Sequence, residues 1–269
     1  MPKLLAAVRS AVESRGGQII EATLDAVVFS AGDREARVSL VELRKLADSA
    51  TPAQIDLWVA ERVDVTFRAV RDGPAPLALG DLLPRLRPPG ERGEAWSTEI
   101  AGGLLILCLI ADRPSSVRYL SPFDVVGLGV GLSAARAAAL DNLRSLATQG
   151  RWVPAGEGLI GHRSQVSDGH DGTRVLIADQ WFADPAGLLV LAPTRDIGFA
   201  VPVSTPGALT GAMHLHEVAL VLVAEQPYPI SAGVFWLHEG VLTSLTVADG
   251  PGAPYFVGLP PLLAQRYQR

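Results

Sequence analysis

The stretch that decides the fold runs Gly187-Leu188-Leu189-Val190-Leu191-Ala192-Pro193-Thr194-Arg195-Asp196-Ile197-Gly198-Phe199-Ala200-Val201-Pro202-Val203. Two short apolar runs flank Pro193-Thr194-Arg195-Asp196, whose residues set or tolerate turn geometry, so the stretch predicts a tight hairpin. Ser204-Thr205-Pro206 follows and predicts the capped start of a helix from Pro206 to Glu225. Leu215, Val218 and Leu222 fill one stripe of that helix, and Met213, Leu220 and Val223 another. Such a helix is expected to pack across the sheet that the hairpin joins and to be buried from several sides. His214 falls beside Glu217, one turn on, as an exposed pair.

Working outward, the same style of element recurs on both sides. Leu104 to Ile110 is a continuous apolar run, which suits a central strand covered on both faces. Val117 to Leu120, Arg151 to Ile160 and Thr173 to Ala178 read as further strands. Ala232 to Leu237 and Val241 to Val247 form a second hairpin across His238-Glu239-Gly240. Ser121, Pro122 and Asp124 give a capping-box start to a short helix. Ser133 reads as the cap of a longer one, from Ala134 to Thr148. Residues 1 to 72 make a separate module. It has a helical stripe at Leu4, Val8 and Val12, strands over Gln18–Thr23, Ala26–Ser30 and Arg34–Val38, and a capping-box match at Ser39–Glu42. It ends in a helix capped by Thr51 with Ile55, Val59, Val63, Phe67 and Val70 on one face. Between the modules, residues 73 to 96 carry Pro74, Pro76, Pro84, Pro88 and Pro89, which read as breaking any regular element. The expected fold is therefore α+β. Two modules of short antiparallel meanders packed with helices, residues 1–72 and 97–269, are joined by a Pro-rich linker over 73–96.

Composition narrows the function classes. In 269 residues the hydrophobic share is 48% and the charged share 19%, so a sizeable core is available. The net charge of −5 argues against a nucleic-acid partner, which needs clustered Lys and Arg. Arg85, Arg87 and Arg92 do cluster, but inside the Pro-rich segment, where they read as solvated. The single cysteine, Cys108, sits in an apolar run and reads as a core residue, which fits a reducing, cytoplasmic compartment. The longest uncharged apolar run, Ile100 to Ala111, is shorter than the roughly 20 residues that span a bilayer.

Four groups of polar residues are candidates for chemistry. His214 and His216 would share a metal on a strand, but on a helix they lie about 200° apart. No metal or cofactor is expected. The loop holding Ser164, Ser167, Asp168, His170 and Asp171 combines carboxylates with a titratable imidazole. Arg195 and Asp196 in the central turn are the third group, where Asp196 can accept local backbone N–H groups. Gly127, Gly129 and Gly131 are the fourth, but they lack the lysine of a phosphate loop and read as a loose turn. The candidate binding residues are Arg195, Asp196, His170 and Asp171; none is assigned a catalytic role.

Val117-Arg118-Tyr119-Leu120, Ala138 to Leu143, Arg174-Val175-Leu176 and Leu188 to Leu191 with Pro193, Arg195 and Asp196 occur in an order that resembles one family. Tyr228-Pro229-Ile230-Ser231 and the Phe235-to-Gly240 hairpin complete the pattern, and Leu83-Pro84-Arg85-Leu86 falls where that family joins its halves. It is the YtpQ-like family of uncharacterised bacterial proteins, a domain of unknown function. The resemblance implies a mixed fold and a cytosolic location, and supplies no activity. The first module also resembles the helix–meander–helix of secretion-chaperone-like folds, which bind protein. The expectation is a non-catalytic cytosolic adaptor or chaperone-like protein whose partner is another protein, with neither nucleic acid nor membrane. The alternative is a hydrolase-type enzyme using the polar loop 164–171 with Arg195 and Asp196.

Overall fold

The computed structural model describes residues 2–23, 26–32, 34–40, 43–44, 47, 50–72, 77–88, 96–113, 116–146, 151–247, 255–256, 259 and 263–264. The fold is α+β, with antiparallel open sheets. The chain divides into two compact units, one formed by residues 1–77 with 112–118 and the other by 78–111 with 119–269.

In the first unit α1 (Pro2–Glu13) precedes a three-stranded sheet of β1 (Ile19–Ala22), β2 (Ala26–Ala31) and β3 (Arg34–Ser39), and α2 (Pro52–Asp72) follows. The core is the one the helical stripes predict. Leu4, Val8 and Val12 of α1 meet Val27 and Phe29 of β2 and Ile55, Val59 and Val63 of α2. Phe67 stacks on Phe29 with ring centroids 5.0 Å apart. Thr51 caps α2 reciprocally with Gln54. The Gln54 N–H donates to the Thr51 hydroxyl at 3.4 Å, and the Thr51 N–H donates to the Gln54 side-chain oxygen at 2.9 Å. The capping-box match at Ser39–Glu42 includes residues outside those described.

The second unit begins inside the segment expected to be a linker. Leu82–Arg87 is a strand, β4, paired antiparallel with β6 (Leu105–Arg113), with Pro84 opposite Leu109. Proline is tolerated there because β4 lies at the edge of its sheet, whose order is β4-β6-β5 with β5 at Ser97–Ile100 and β7 (Ser116–Tyr119) also on β6. Arg85 is therefore buried rather than solvated, and Arg87 lies over the Tyr119 ring, 5.0 Å from its centroid. Arg92 is outside the described residues. Cys108 is buried in β6.

Two helices follow, α3 (Pro122–Gly127) and α4 (Leu132–Leu146). The capping box at α3 forms as read: the Asp124 N–H donates to the Ser121 hydroxyl, and Asp124 accepts from the Ser121 N–H at 2.8 Å. At α4 the helix starts at Leu132, so Ser133 lies inside it and is not its cap. Asn142 on α4 donates to the carbonyls of Leu79 and Leu82 at 2.7 and 2.9 Å, tying the helix to the start of β4.

The largest sheet has the order β13-β12-β10-β11-β9-β8. Its members are β8 (Trp152–Pro154), β9 (His162–Ser164), β10 (Leu188–Thr194), β11 (Ile197–Pro202), β12 (Phe235–His238) and β13 (Val241–Ser244). A short pair, β14 (Thr246–Val247) and β15 (Tyr255–Phe256), lies outside it. Every residue of β10 is buried, because its two faces have different cover. Leu189 and Leu191 join a core with α5 (Ala208–Glu225), while Leu188, Val190 and Ala192 join a core with β6 and the 3-10 segment Thr173–Gln180. That 3-10 segment is a correction, since a strand was expected over Thr173–Ala178.

The α5 helix starts at Ala208 after Gly207, two residues later than Thr205-Pro206 suggested. It packs across β10 and β11, but on one side only. Ala208, Gly211, Ala212, Leu215 and Ala219 are buried, whereas Leu222 is half-buried and Met213 and Val221 are 49% and 53% exposed. Three of the buried five are alanine, and small side chains bring the helix backbone close to the sheet. By length and composition α5 is apolar enough to cross a membrane; here its buried stripe lies on the sheet.

Candidate functional site

The central turn is as tight as its residues predict. Thr194 pairs with Ile197, leaving Arg195 and Asp196 as the two turn residues. A third segment locks it from the side. The N–H groups of Arg195, Ile230 and Ser231 donate to the carbonyls of Tyr228, Pro193 and Ala192 at 3.0, 2.8 and 3.1 Å. Arg195 forks onto the neighbouring Asp196, with Nε and Nη2 at 3.0 and 3.1 Å from its two oxygens. Its guanidinium also lies 3.6 Å from the centre of the Tyr228 ring, a cation–π contact. Burial works against the charge of Arg195, but Asp196 and Tyr228 outweigh it and raise its pKa.

The polar loop and this turn are brought together. The Gly172 N–H donates to the Arg195 carbonyl at 2.9 Å. The backbones are so close that a Cβ on Gly172 would sit 2.1 Å from the Thr194 oxygen, and one on Gly198 2.4 Å from the Asp171 oxygen. Only glycine fits at either place. Gly169 passes over the turn, its Cβ position 3.6 Å from Arg195 Nε.

Most of the loop's polar groups are committed to one another. Asp171 is buried and accepts from the Ser164 hydroxyl, from the N–H groups of Val166 and Ser167 at 3.0 and 2.7 Å, and from Arg174 Nη1 at 3.3 Å. Arg174 is wholly buried and reaches both oxygens of Asp168, with Nη1 at 2.7 Å. His170 is buried, and its N–H donates to Asp168 at 3.0 Å. This is a charged knot that fixes the loop: one buried guanidinium held between two carboxylates, with the loop backbone filling the remaining acceptor sites. The sequence signal for Arg174 is its spacing from two acids, Asp168 six residues and Asp171 three residues before it. The chain turns just before the 3-10 segment, the Arg174 N–H donating to the His170 carbonyl at 2.9 Å, and this brings Asp171 and Arg174, three apart, to one side; a strand would point them to opposite faces. Tyr228 carries no local signal, because its contact with Arg195 spans 33 residues of chain.

Burial disfavours the charge on Asp168, but the hydrogen bonds and attraction of Arg174, with the His170 N–H, outweigh it and lower its pKa. A carboxylate with a lowered folded-state pKa stabilises the fold above the ordinary value of about 3.9 and ceases to do so as the pH falls past its folded value. Urea titrations of the parent and of Asp168→Asn should therefore differ at pH 7 and converge on acidification below pH 4. A gap that stays constant across that range would contradict the ion pair.

His214 and His216 are on α5, as expected, and point apart. His214 is exposed, while His216 Nδ1 donates to the Ala232 carbonyl at 2.7 Å. Among the described residues no group of three or more His, Cys, Asp or Glu side chains is placed to hold a metal ion. Set against family models, curated proteins and solved structures, the chain matches none of them.

Proposed function

We propose that the chain is a non-catalytic, cytosolic protein-binding protein, adaptor or chaperone-like, of the YtpQ-like type. The occupant of its docking face is an apolar segment of a partner protein. The observation that supports this reading most is α3. Phe123 and Val126, three apart and on one face of this short helix, are 86% and 74% exposed. Tyr119 and Leu132 on either side of α3 are exposed as well. A single exposed apolar residue is ordinary. An aromatic ring almost wholly in water beside a second open apolar side chain is what an interaction surface presents before its partner arrives.

The polar residues support the same reading. Asp171 and Arg174 already have their bonds within the loop, and Arg195 is held between Asp196 and Tyr228. The alternative, a hydrolase built on the loop with Arg195 and Asp196, has proximity in its favour but asks these groups to leave partners they already have.

The test is affinity purification from the source cell, followed by titration of the purified partner against the parent protein and against Phe123→Ser/Val126→Ser. Exposed apolar anchors that become buried on binding commonly carry 2 kcal/mol or more, so the double variant should bind at least about tenfold more weakly. Its melting temperature should match the parent's. A partner bound equally well by the double variant, adsorption to lipid vesicles in place of a protein, or turnover with no partner would each overturn the reading.

A further inference from the structure

Between α4, the β12–β13 hairpin and the 3-10 segment lies a cavity of about 290 Å³. Its floor is apolar: Leu107 of β6 and Leu237 of β12 are buried there. Leu140, Leu176 and Leu242 form the walls, and the exposed Val241 stands at the mouth. Among the described residues the one ionisable side chain in the lining is Arg136, one helical turn before Leu140 on α4 and so on the same face. Arg136 is half-buried and makes no hydrogen bond or ion pair with any described residue. Arg144, two turns on, is held by Asp141 at 2.7 Å. Partly removed from water and lacking an acid, the Arg136 guanidinium is a fork awaiting an anion at the edge of a greasy hollow.

We propose that this cavity binds a small monocarboxylate with an apolar body, the carboxylate paired with Arg136 and the body lying on Leu107, Leu237 and Leu242. The chemistry follows from the lining. Apart from Arg136 the described side chains that line it are apolar, so an apolar body gains by leaving water for them. Arginine offers two parallel N–H groups that match a carboxylate. At about 30 Å³ for each small group, the volume admits roughly ten non-hydrogen atoms, the size of an eight-carbon acid. A neutral molecule of that shape gains only the apolar part, and a cation is repelled.

Octanoate, octan-1-ol and octylammonium are the probes, titrated into the full chain by calorimetry with ligand-observed NMR as a second readout. Octanoate should bind saturably, one per chain, more tightly than octan-1-ol, with octylammonium weakest. Losing a hydrogen-bonded charge contact corresponds to about ten- to hundredfold in affinity. Arg136→Gln should weaken octanoate by that factor and leave octan-1-ol unchanged. Val241→Trp, at an exposed strand position, should close the mouth and weaken both. Thermal melts of the two variants should coincide with the parent's, because Arg136 makes no internal bond and Val241 is open to solvent. No saturable octanoate binding at millimolar concentration, equal affinity for the acid and the alcohol, or octanoate affinity unchanged in Arg136→Gln would each overturn the proposal. None of these outcomes involves a protein partner, so failure here leaves the reading of α3 where it stands.

Discussion

Arg174→Met is expected to lower the unfolding free energy by about 3–5 kcal/mol, the range seen when one member of a buried ion pair is removed. The size follows from what is left behind. Asp171 stays buried, still accepting from Ser164, Val166 and Ser167 but with no positive charge near it. Asp168 loses the guanidinium that met both its oxygens. The loop carrying these acids is pinned to the central turn through Gly172 and Arg195, so the damage should reach the β10–β11 hairpin. Urea titration at pH 7 gives the number. A triple variant, Arg174→Met with Asp168→Asn and Asp171→Asn, should recover part of the loss, because neutral amides no longer demand a counter-charge. A cost under about 1 kcal/mol for Arg174→Met would show that the knot is not a structural anchor. Its residues would then be free to serve a reaction.

Leu215→Ala should cost about 2–5 kcal/mol, as truncation of a fully buried leucine does. Leu215 is in the middle of the only α5 face that meets the sheet, in one core with Leu189, Leu191, Val201 and Trp236. Close packing of Ala208, Ala212 and Ala219 around it leaves few side chains able to relax into the space. Leu222→Ala should cost clearly less, because Leu222 is half-buried. His214→Ala should fall within about 0.5 kcal/mol of the parent, as exposed substitutions do. Measured together, the three variants check the rotation of α5 about its axis. His214→Ala as the most damaging of them would mean that the helix presents another face.

What the sequence determined by itself is what short stretches of chain decide. The Ser121–Asp124 capping box, the Thr51 cap and the helical stripes of α1 and α2 depend on residues within a turn or two of one another, and each appears as read. The hairpin expected at Pro193–Asp196 forms too, with its turn narrowed to Arg195-Asp196 and Pro193 and Thr194 in β10. The apolar run of β6 was also legible, since a strand covered on both faces has no alternation to disguise it. Whether the loop of His170 and Asp171 meets the turn of Arg195 and Asp196 is left open by the sequence; in the structure Gly172 bonds to Arg195, Asp171 joins the Arg174 knot, and Arg195 pairs with Asp196.

Tertiary structure decided the rest. Pro84 is an obstacle within a sheet and harmless at its edge, and only the pairing of β4 with β6 says which applies. Thr173 to Ala178 has the composition of a strand, yet forms 3-10 turns whose Val175 and Ala178 fill the core beneath β10 and whose Arg174 meets two acids. The sequence offers two apolar stripes on α5, Leu215-Val218-Leu222 and Met213-Leu220-Val223, and the sheet covers neither as such. It covers a line through Ala208, Gly211, Ala212, Leu215 and Ala219, where small side chains let the backbone come near. In each case local preference is worth a few tenths to one kcal/mol per residue. Burial of a leucine or an ion pair is worth several times that, and what buries a residue is chain tens of positions away.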